Sequence, residues 1–472
     1  SGLFVITLME ANTAQNDLVL TAFVGGTLYF LLAYRESRRF RYLPLAALAF
    51  ALALGVKATA MLGIPSLLVM ALYYFVPWKR NPQPISRSHL GWGLAALALA
   101  LCLVALPAGY LDNLTQFGSL TGPSTIGEQH SLSETPFTDL VKFGVLNSLR
   151  YGFDFGHIDG FPPYSAVRAA QRVLHFIPEH VCAALGIKLD ILEGARFPFM
   201  YGQLYAANEN NAYWGILGFA LVWPIMWLFL FEKKREPQAR VFALAAILFF
   251  FVQAFSSPYD VWRGRYFITA GLFAAPPLAF VYLPRARWAR LYLTLVVMLG
   301  CLSALLAILY RGSGSLITFR VKHRDAFRVR IETFPSVFSP PQAVTIKQQI
   351  SWEQAKRMPR ITSRMSQLTR ERPFLFKSFF VFDLSIPEDA VIAVDVGNYA
   401  MEYLFFGEKL TRKLIPVRTF DRSGHPRWAP IPPGADFLIL ADDSPNYLPT
   451  DIPLYDWQDA GFSKKVYIRQ LR

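Results

Sequence analysis

Two carboxylates, Glu10 and Asp17, flank the polar patch in "EANTAQND" (10–17), immediately ahead of a long apolar run. A carboxylate held in a fixed direction can take a proton from a hydroxyl or ligate a metal. Asn16–Asp17 before Leu18 also suits helix capping, because the unpaired N–H groups and the helix dipole favour an acid there. A second stretch, "SPYDVWRGRYF" (257–267), crowds Tyr259, Asp260, Trp262, Arg263, Arg265 and Tyr266 together. Arginine grips phosphate in bidentate fashion, and aromatic neighbours hold its plane. An aromatic belt with snorkelling arginines is the plainer account of the same residues. Lys57 adds a point charge on the same rim. A third stretch, "ANENNAYWGILGF" (207–219), repeats the opening pattern of amides, one acid and an apolar helix. Asn208 and Glu209 suit sugar hydroxyls, Tyr213 and Trp214 could stack on a sugar face, and capping by Asn211 is the alternative.

The elements that must position these groups are membrane helices. The chain has 472 residues, is 53% hydrophobic and 15% aromatic, and its apolar residues are clustered. That exceeds the apolar content of ordinary soluble domains. Runs at 18–34, 42–56, 61–77, 90–110, 211–231, 241–257, 266–283 and 291–310 predict about eight spans. The runs at 42–56 and 61–77 are short and read as a hairpin turning near Lys57. The first residues, "SGLFVITLM", are too short to span, and the chain reads as beginning inside an earlier helix. Three cysteines, two of them in spans, suggest no disulfide framework and no Cys-based metal site.

Basic residues set the orientation. Arg35, Arg38, Arg39 and Arg41 follow the first span, and Lys79, Arg80 and Arg87 the third. Lys233, Lys234, Arg235 and Arg240 follow the fifth, and Arg285, Arg287 and Arg290 the seventh. The opposite short turns carry only Lys57, Arg263 and Arg265. The positive-inside rule makes the first set cytoplasmic. The Glu10–Asp17 entry, the loop at 111–210 and everything after 311 then lie outside. The net charge of +14 is mostly this orientation signal and not a nucleic-acid footprint. Within the outer loop, 139–153 and 164–186 show helical apolar spacing. Either they lie along the interface as amphipathic helices, or they pack as ordinary helices on the outer face.

The tail, 312–472, differs in composition. "AVIAVDV" (390–396) and "DFLILAD" (436–442) read as buried strands, and "NYAMEYLFFG" (398–407) as a helix. Strand, helix, strand predicts a small α/β domain. Asp395, Asp442 and Asp443 fall at strand ends, where ligands bind in α/β folds or where acids simply solvate a turn.

At "TAQNDLVLTAFVGGTLYFLLA" (13–33), "LALGVKATAMLGIP" (52–65) and "YDVWRGRYFITAGLFAAPPLAF" (259–280), the chain resembles the GT-C membrane glycosyltransferases. The similarity is to bacterial relatives of protein O-mannosyltransferase and aminoarabinose transferase, and 386–417 is similar to the outer domain that many members append. As a pattern it runs through nearly the whole chain. It implies a polytopic α-helical membrane protein of GT-C type, with a membrane-embedded transferase domain at 1–311 and a small extracytoplasmic α/β domain at 312–472. It implies inverting transfer of a sugar from a polyprenyl-phosphate donor to a glycan, lipid or protein acceptor, outside a bacterial inner membrane. The site residues it implies are Asp17 and Glu10 for catalysis, and Lys57, Arg263, Arg265 and Tyr266 for the donor phosphate. Glu209, Asn208, Tyr259 and Asp260 would meet sugar or acceptor. Members usually place their principal acid in a first external loop that this chain lacks, so Asp17 corresponds to the second acidic position. Some relatives use a divalent metal, but no metal-ligand spacing is legible here. Membrane lipids are the remaining partner; nucleic acid is not one. A transporter or flippase would place ionisable groups or broken helices at mid-bilayer, and these spans are nearly free of charge at their centres. A non-catalytic scaffold would leave the acids and the arginines without a shared cavity.

Overall fold

The computed structural model describes residues 4–10, 16–76, 85–122, 131–132, 135–161, 165–202, 212–232, 236–279 and 286–309 of the first part of the chain. Of the second part it describes 326–329, 344–347, 379, 382–383, 385–396, 404–407, 409–421, 425–459 and 462–472. The chain divides into two compact units, Ser1–Arg311 and Gly312–Arg472.

The first unit is helical: α1 Val5–Glu10, α2 Asp17–Ser37, α3 Tyr42–Val56, α4 Ile64–Phe75, α5 Arg87–Ala100, α6 Leu111–Phe117, α7 Phe137–Phe155, α8 Ser165–Ala184, α9 Trp223–Phe231, α10 Pro237–Ser256, α11 Ile268–Ala279 and α12 Arg287–Leu309. A 3₁₀ turn, Ala58–Gly63, runs into α4, and a π-helical stretch, Leu101–Tyr110, joins α5 to α6. The eight apolar runs are helical over most of their described residues, although 61–77 opens with the 3₁₀ turn and 211–231 becomes helical only from 216. Among the described residues five helical stretches are long and apolar enough to cross a membrane: Asp17–Ser37, Ala58–Phe75, Arg87–Phe117, Pro237–Ser256 and Arg287–Ile308. Tyr42–Val56 and Gly218–Phe231 are shorter apolar helices. This is a polytopic α-helical membrane region.

Small residues let its helices approach closely. α3 buries Ala46, Ala47, Ala49, Ala51 and Ala53, and Ala49 lies where a side chain at Gly26 of α2 would reach it. Hydrogen bonds between helices add direction: Ser66 Oγ donates to Ala245 O at 2.7 Å, and Tyr110 OH to Leu54 O at 2.9 Å. α2 ends where Arg38 turns left-handed (φ 56°) and its N–H returns to Tyr34 O, an αL cap.

Between the Arg87–Phe117 stretch and Gly218–Phe231, α7 carries a fully buried arginine. Arg150 donates to Leu189 O, Glu193 O, Ile191 O and Asn147 Oδ1 at 2.7–3.0 Å. Asn147 donates onward to Ala254 O and Ser257 O. The pair therefore stitches 189–193 to the end of α10. Arg150→Met should cost roughly 2–3 kcal/mol, because three buried carbonyls lose their donor. The expected reading is a lower thermal unfolding midpoint in detergent and faster trypsin cleavage near 188–196. An unchanged midpoint would mean that water replaces the guanidinium.

In the second unit a five-stranded sheet runs in the order β4 (Lys413–Pro416), β3 (Val391–Asp395), β7 (Phe437–Ala441), β9 (Phe462–Gln470), β8 (Ile452–Asp459). The β3, β4 and β7 strands are parallel, whereas β9 is antiparallel to both β7 and β8. Hairpins β1–β2 (Ala326–Val329, Val344–Lys347) and β5–β6 (Arg418–Phe420, Pro426–Trp428) stand apart from it. The two strands read from the apolar runs are β3 and β7. The helix expected at 398–407 lies outside the described residues except for its last turn, which closes on Gly407 at φ 76°. Asp395 is neither a solvated turn acid nor an open ligand. It is wholly buried and accepts hydrogen bonds from Arg418 Nε (2.9 Å), Trp428 Nε1 (3.0 Å), Ser444 Oγ and Asn446 Nδ2. Arg418 reaches Asp443 with both Nη atoms. These acids brace the C-terminal edge of the parallel strands.

Candidate functional site

The start of α2, the turn at Lys57 and the segment before α11 meet at one place. Asp17 opens α2 and is 3% exposed. Its Oδ1 accepts a hydrogen bond from Lys57 Nζ at 2.7 Å, and Arg265 Nε lies 3.4 Å from its Oδ2. Lys57 stands at the end of α3 in extended conformation, where the chain breaks into the 3₁₀ turn. Arg265 belongs to the 3₁₀ segment Val261–Phe267. The Tyr266 ring sits beneath the cations: Lys57 Nζ is 4.4 Å from its centroid, Arg265 Cζ 5.4 Å and Arg263 Cζ 5.9 Å. Thr21, one turn into α2, shares a 2.8 Å hydrogen bond with Thr269, one turn beyond Arg265. This brace holds the two helix starts at the spacing the ion pair needs. A cleft opens here, lined by Asp17, Leu20, Thr59, Leu62, Phe249, Arg265, Tyr266 and Thr269.

Asp17 thus pairs with two cations, Lys57 and Arg265. Lys57 and Arg265 keep about a fifth of their side-chain surface exposed, and Asp17 almost none. Arg265 and Asp17 line the cleft together, and Lys57 stands beside it. Such an arrangement suits an incoming anion, phosphate above all.

Asn16 does not cap α2. Its side-chain amide donates to Val56 O at 3.1 Å, satisfying a carbonyl left open at the end of α3 and fixing Lys57 beside Asp17. Arg263 is buried and its N–H bonds Asp260 O. Tyr259 and Asp260 have their hydrogen bonds elsewhere than the Asp17 cluster. The Tyr259 hydroxyl donates to Asp154 at 3.0 Å, and Asp260 caps the 3₁₀ segment through Trp262 N–H, with Arg196 at 3.8 Å. Tyr213 and Trp214 present no face to a sugar. Both are buried: Tyr213 donates to Asp154, and Trp214 stacks on Phe4 and Trp223. Glu10 closes α1, but its side chain, Asn208 and Glu209 lie outside the described residues. Among the described residues no group of three His, Cys, Asp or Glu is placed to hold a metal ion.

Sequence reading missed a second polar core, in "RYGFDFGHID" (150–159). Acids and histidines at close spacing within an aromatic run were its available signal. Asp154 Oδ2 accepts from both Tyr213 and Tyr259, and Asp159 Oδ2 accepts from the Tyr213 N–H at 2.7 Å. His157 faces Asp154 Oδ1 across 3.7 Å and stacks on His175, which Gln171 contacts at 2.8 Å. Burial pushes Asp154 up to about 8 and Asp159 to about 7, and lowers His157 to about 3 and His175 to about 4. A carboxyl raised by folding lends stability that is full below its unfolded value and is lost as pH climbs through its folded one. A lowered histidine lends stability that is full above about 6.5 and is lost as pH falls through its folded value. The slopes oppose one another between pH 4 and 6.5 and leave only the carboxyl loss above that. This segment should therefore lose roughly 2 kcal/mol between pH 6.5 and 8, seen as faster amide exchange in 150–160, and Asp154→Asn should flatten most of the slope, Asp159→Asn a smaller part. Equal exchange free energies at both pH values would contradict this.

The fold and cluster thus define a polytopic membrane protein with a small cleft beside an Asp–Lys–Arg cluster at the ends of its helices. Residues 2–107 match the family model described as dolichyl-phosphate-mannose-protein mannosyltransferase. That match covers the Asp17 helix and the Lys57 hairpin but not the Arg265 segment. No curated protein matches the chain, and no solved structure does.

Proposed function

We propose that the chain transfers a sugar from a polyprenyl-phosphate donor to an acceptor hydroxyl at the extracytoplasmic membrane face, with inversion. The observation that carries this reading is the meeting of Asp17, Lys57 and Arg265, from three separate segments, around one cleft. The family similarity over 2–107 supports it. The polyprenyl tail stays in the bilayer and the phosphate sits at the rim, where Lys57 and Arg265 take its charge over the Tyr266 face. The acceptor oxygen attacks the anomeric carbon as the bond to the phosphate oxygen breaks, and polyprenyl phosphate leaves as the anion that the cations stabilise. The acceptor proton passes to a carboxylate. Asp17, engaged with both cations, fixes their direction; Glu10 is the other acid that the sequence offers at this entry. The second unit and the outer loop share the extracytoplasmic side.

The test is the full chain in liposomes with radiolabelled polyprenyl-phosphate sugars and a mixed envelope acceptor fraction. The expected result is label leaving the lipid phase with stoichiometric polyprenyl phosphate. Label that stays on every donor, from protein that also fails to bind polyprenyl phosphate, overturns the reading.

A further inference from the structure

Helix α8 is inside out. It turns Gln171, His175 and Cys182 toward the fold, at 0%, 2% and 6% exposure, while Val173, Ile177 and Leu185 stand 70% or more exposed. Leu174, Phe176 and Val181 are exposed with them. At about 100° per residue these side chains form one broad, mostly apolar face opposite the buried polar line, interrupted by His180, whose Nδ1 lies against Phe176 O. Arg168, Arg172 and Glu179 lie along its flank. A helix bordered by water on that face would bury Val173 and Ile177 and expose Gln171; the reverse arrangement has an apolar neighbour.

We infer that α8 lies in the plane of the membrane, with Val173, Phe176, Ile177, Val181 and Leu185 sunk among the outer acyl chains and Arg168 and Arg172 among the headgroups. Three observations select the bilayer as the occupant. The helix belongs to the same compact unit as the membrane-crossing helices. The Arg87–Phe117 stretch, long and apolar enough to cross a membrane, has the same exposed apolar character, with Leu94, Leu99 and Leu103 58–67% exposed. The flanking arginines complement anionic headgroups, as in interfacial helices. This decides between the two readings left open for 164–186, and it is independent of the transfer reaction.

The test uses the unaltered chain in nanodiscs of phosphatidylcholine with a minority of phosphatidylglycerol, carrying a lipid with a diazirine high on its acyl chain. Photolysis and peptide mapping should place adducts within 173–185, at a yield comparable to that in 87–117. A second measurement attaches a fluorophore at Val173→Cys or Ile177→Cys, with Cys102, Cys182 and Cys301 replaced by alanine. Doxyl lipids should quench it several-fold more than they quench a label at Lys465→Cys, and aqueous iodide several-fold less. Absence of adducts in 173–185 overturns the inference. So does a label quenched by iodide as readily as that at 465, or one shielded from both quenchers, which marks a protein partner on this face.

Discussion

Asp17→Asn is expected to lower kcat/KM for a polyprenyl-phosphate sugar by roughly 30- to 1,000-fold. The carboxylate pairs with both Lys57 and Arg265, and it is almost fully buried. Removing one partner from such a set costs about 2–4 kcal/mol, because the remaining charges are left desolvated and repel each other. Lys57→Ala should raise KM for the donor more than it lowers kcat, since a phosphate contact is present in the bound donor as well as in the transition state. The double variant Asp17→Asn/Lys57→Gln separates structure from function. It returns the trio to the parent's net charge of +1 and removes the repulsion between two cations, so thermal stability should return toward that of the parent, while transfer stays low because the phosphate has lost a cation. Asp17→Asn protein that turns over at the parent rate would remove Asp17 from the site.

Gly264→Ala is expected to be severely damaging. A side-chain carbon at Gly264 would lie 2.2 Å from Ala212 O and 3.1 Å from Ala212 C and Tyr213 Cδ2. These are backbone atoms and a ring that cannot swing aside, because the Tyr213 N–H and hydroxyl are tied to Asp159 and Asp154. The Arg263–Gly264–Arg265 segment would have to withdraw, taking the Arg265 guanidinium out of reach of Asp17. We expect a loss of more than about 4 kcal/mol of stability, in the range of severe steric changes, together with loss of transfer. Gly152→Ala is the control: nothing lies within 4 Å of its added carbon, so the helix α7 should gain up to about 1 kcal/mol. Unfolding midpoints in detergent compare the two. Equal midpoints would show that the Ala212 backbone yields.

Charge and hydropathy made the membrane architecture legible, since both are local properties. A run of apolar residues signals a helix whatever surrounds it, and the basic turns report their side of the membrane one at a time. The strands at Val391–Asp395 and Phe437–Ala441 were legible for the same reason: continuous apolar runs mark strands buried on both faces. Asp17, Lys57 and Arg265 stood out as types unusual for their positions, and the ion pairing between them is a matter of packing. Lys57 and Asp17 are 40 residues apart, Arg265 and Asp17 far more; only the crossing of α2, α3 and the Val261–Phe267 segment sets their separations. The same applies to the residues that faced elsewhere. Tyr259, Asp260, Tyr213 and Trp214 have the chemistry of a sugar site, yet three of them spend their polar atoms on Asp154 or the local backbone and Trp214 its ring on Phe4 and Trp223.

The amino-acid order alone placed the apolar helices along the chain, marked the division into a helical first part and a tail with strands, and supplied the charged groups near Asp17, Lys57 and Arg265. Tertiary structure decided which of those charges meet, which acids are buried as braces, and which face of α8 turns outward. The physical reason is range: hydrophobic periodicity acts over a few residues along the chain, whereas an ion pair or a buried hydrogen bond depends on ångström distances between segments brought together by packing.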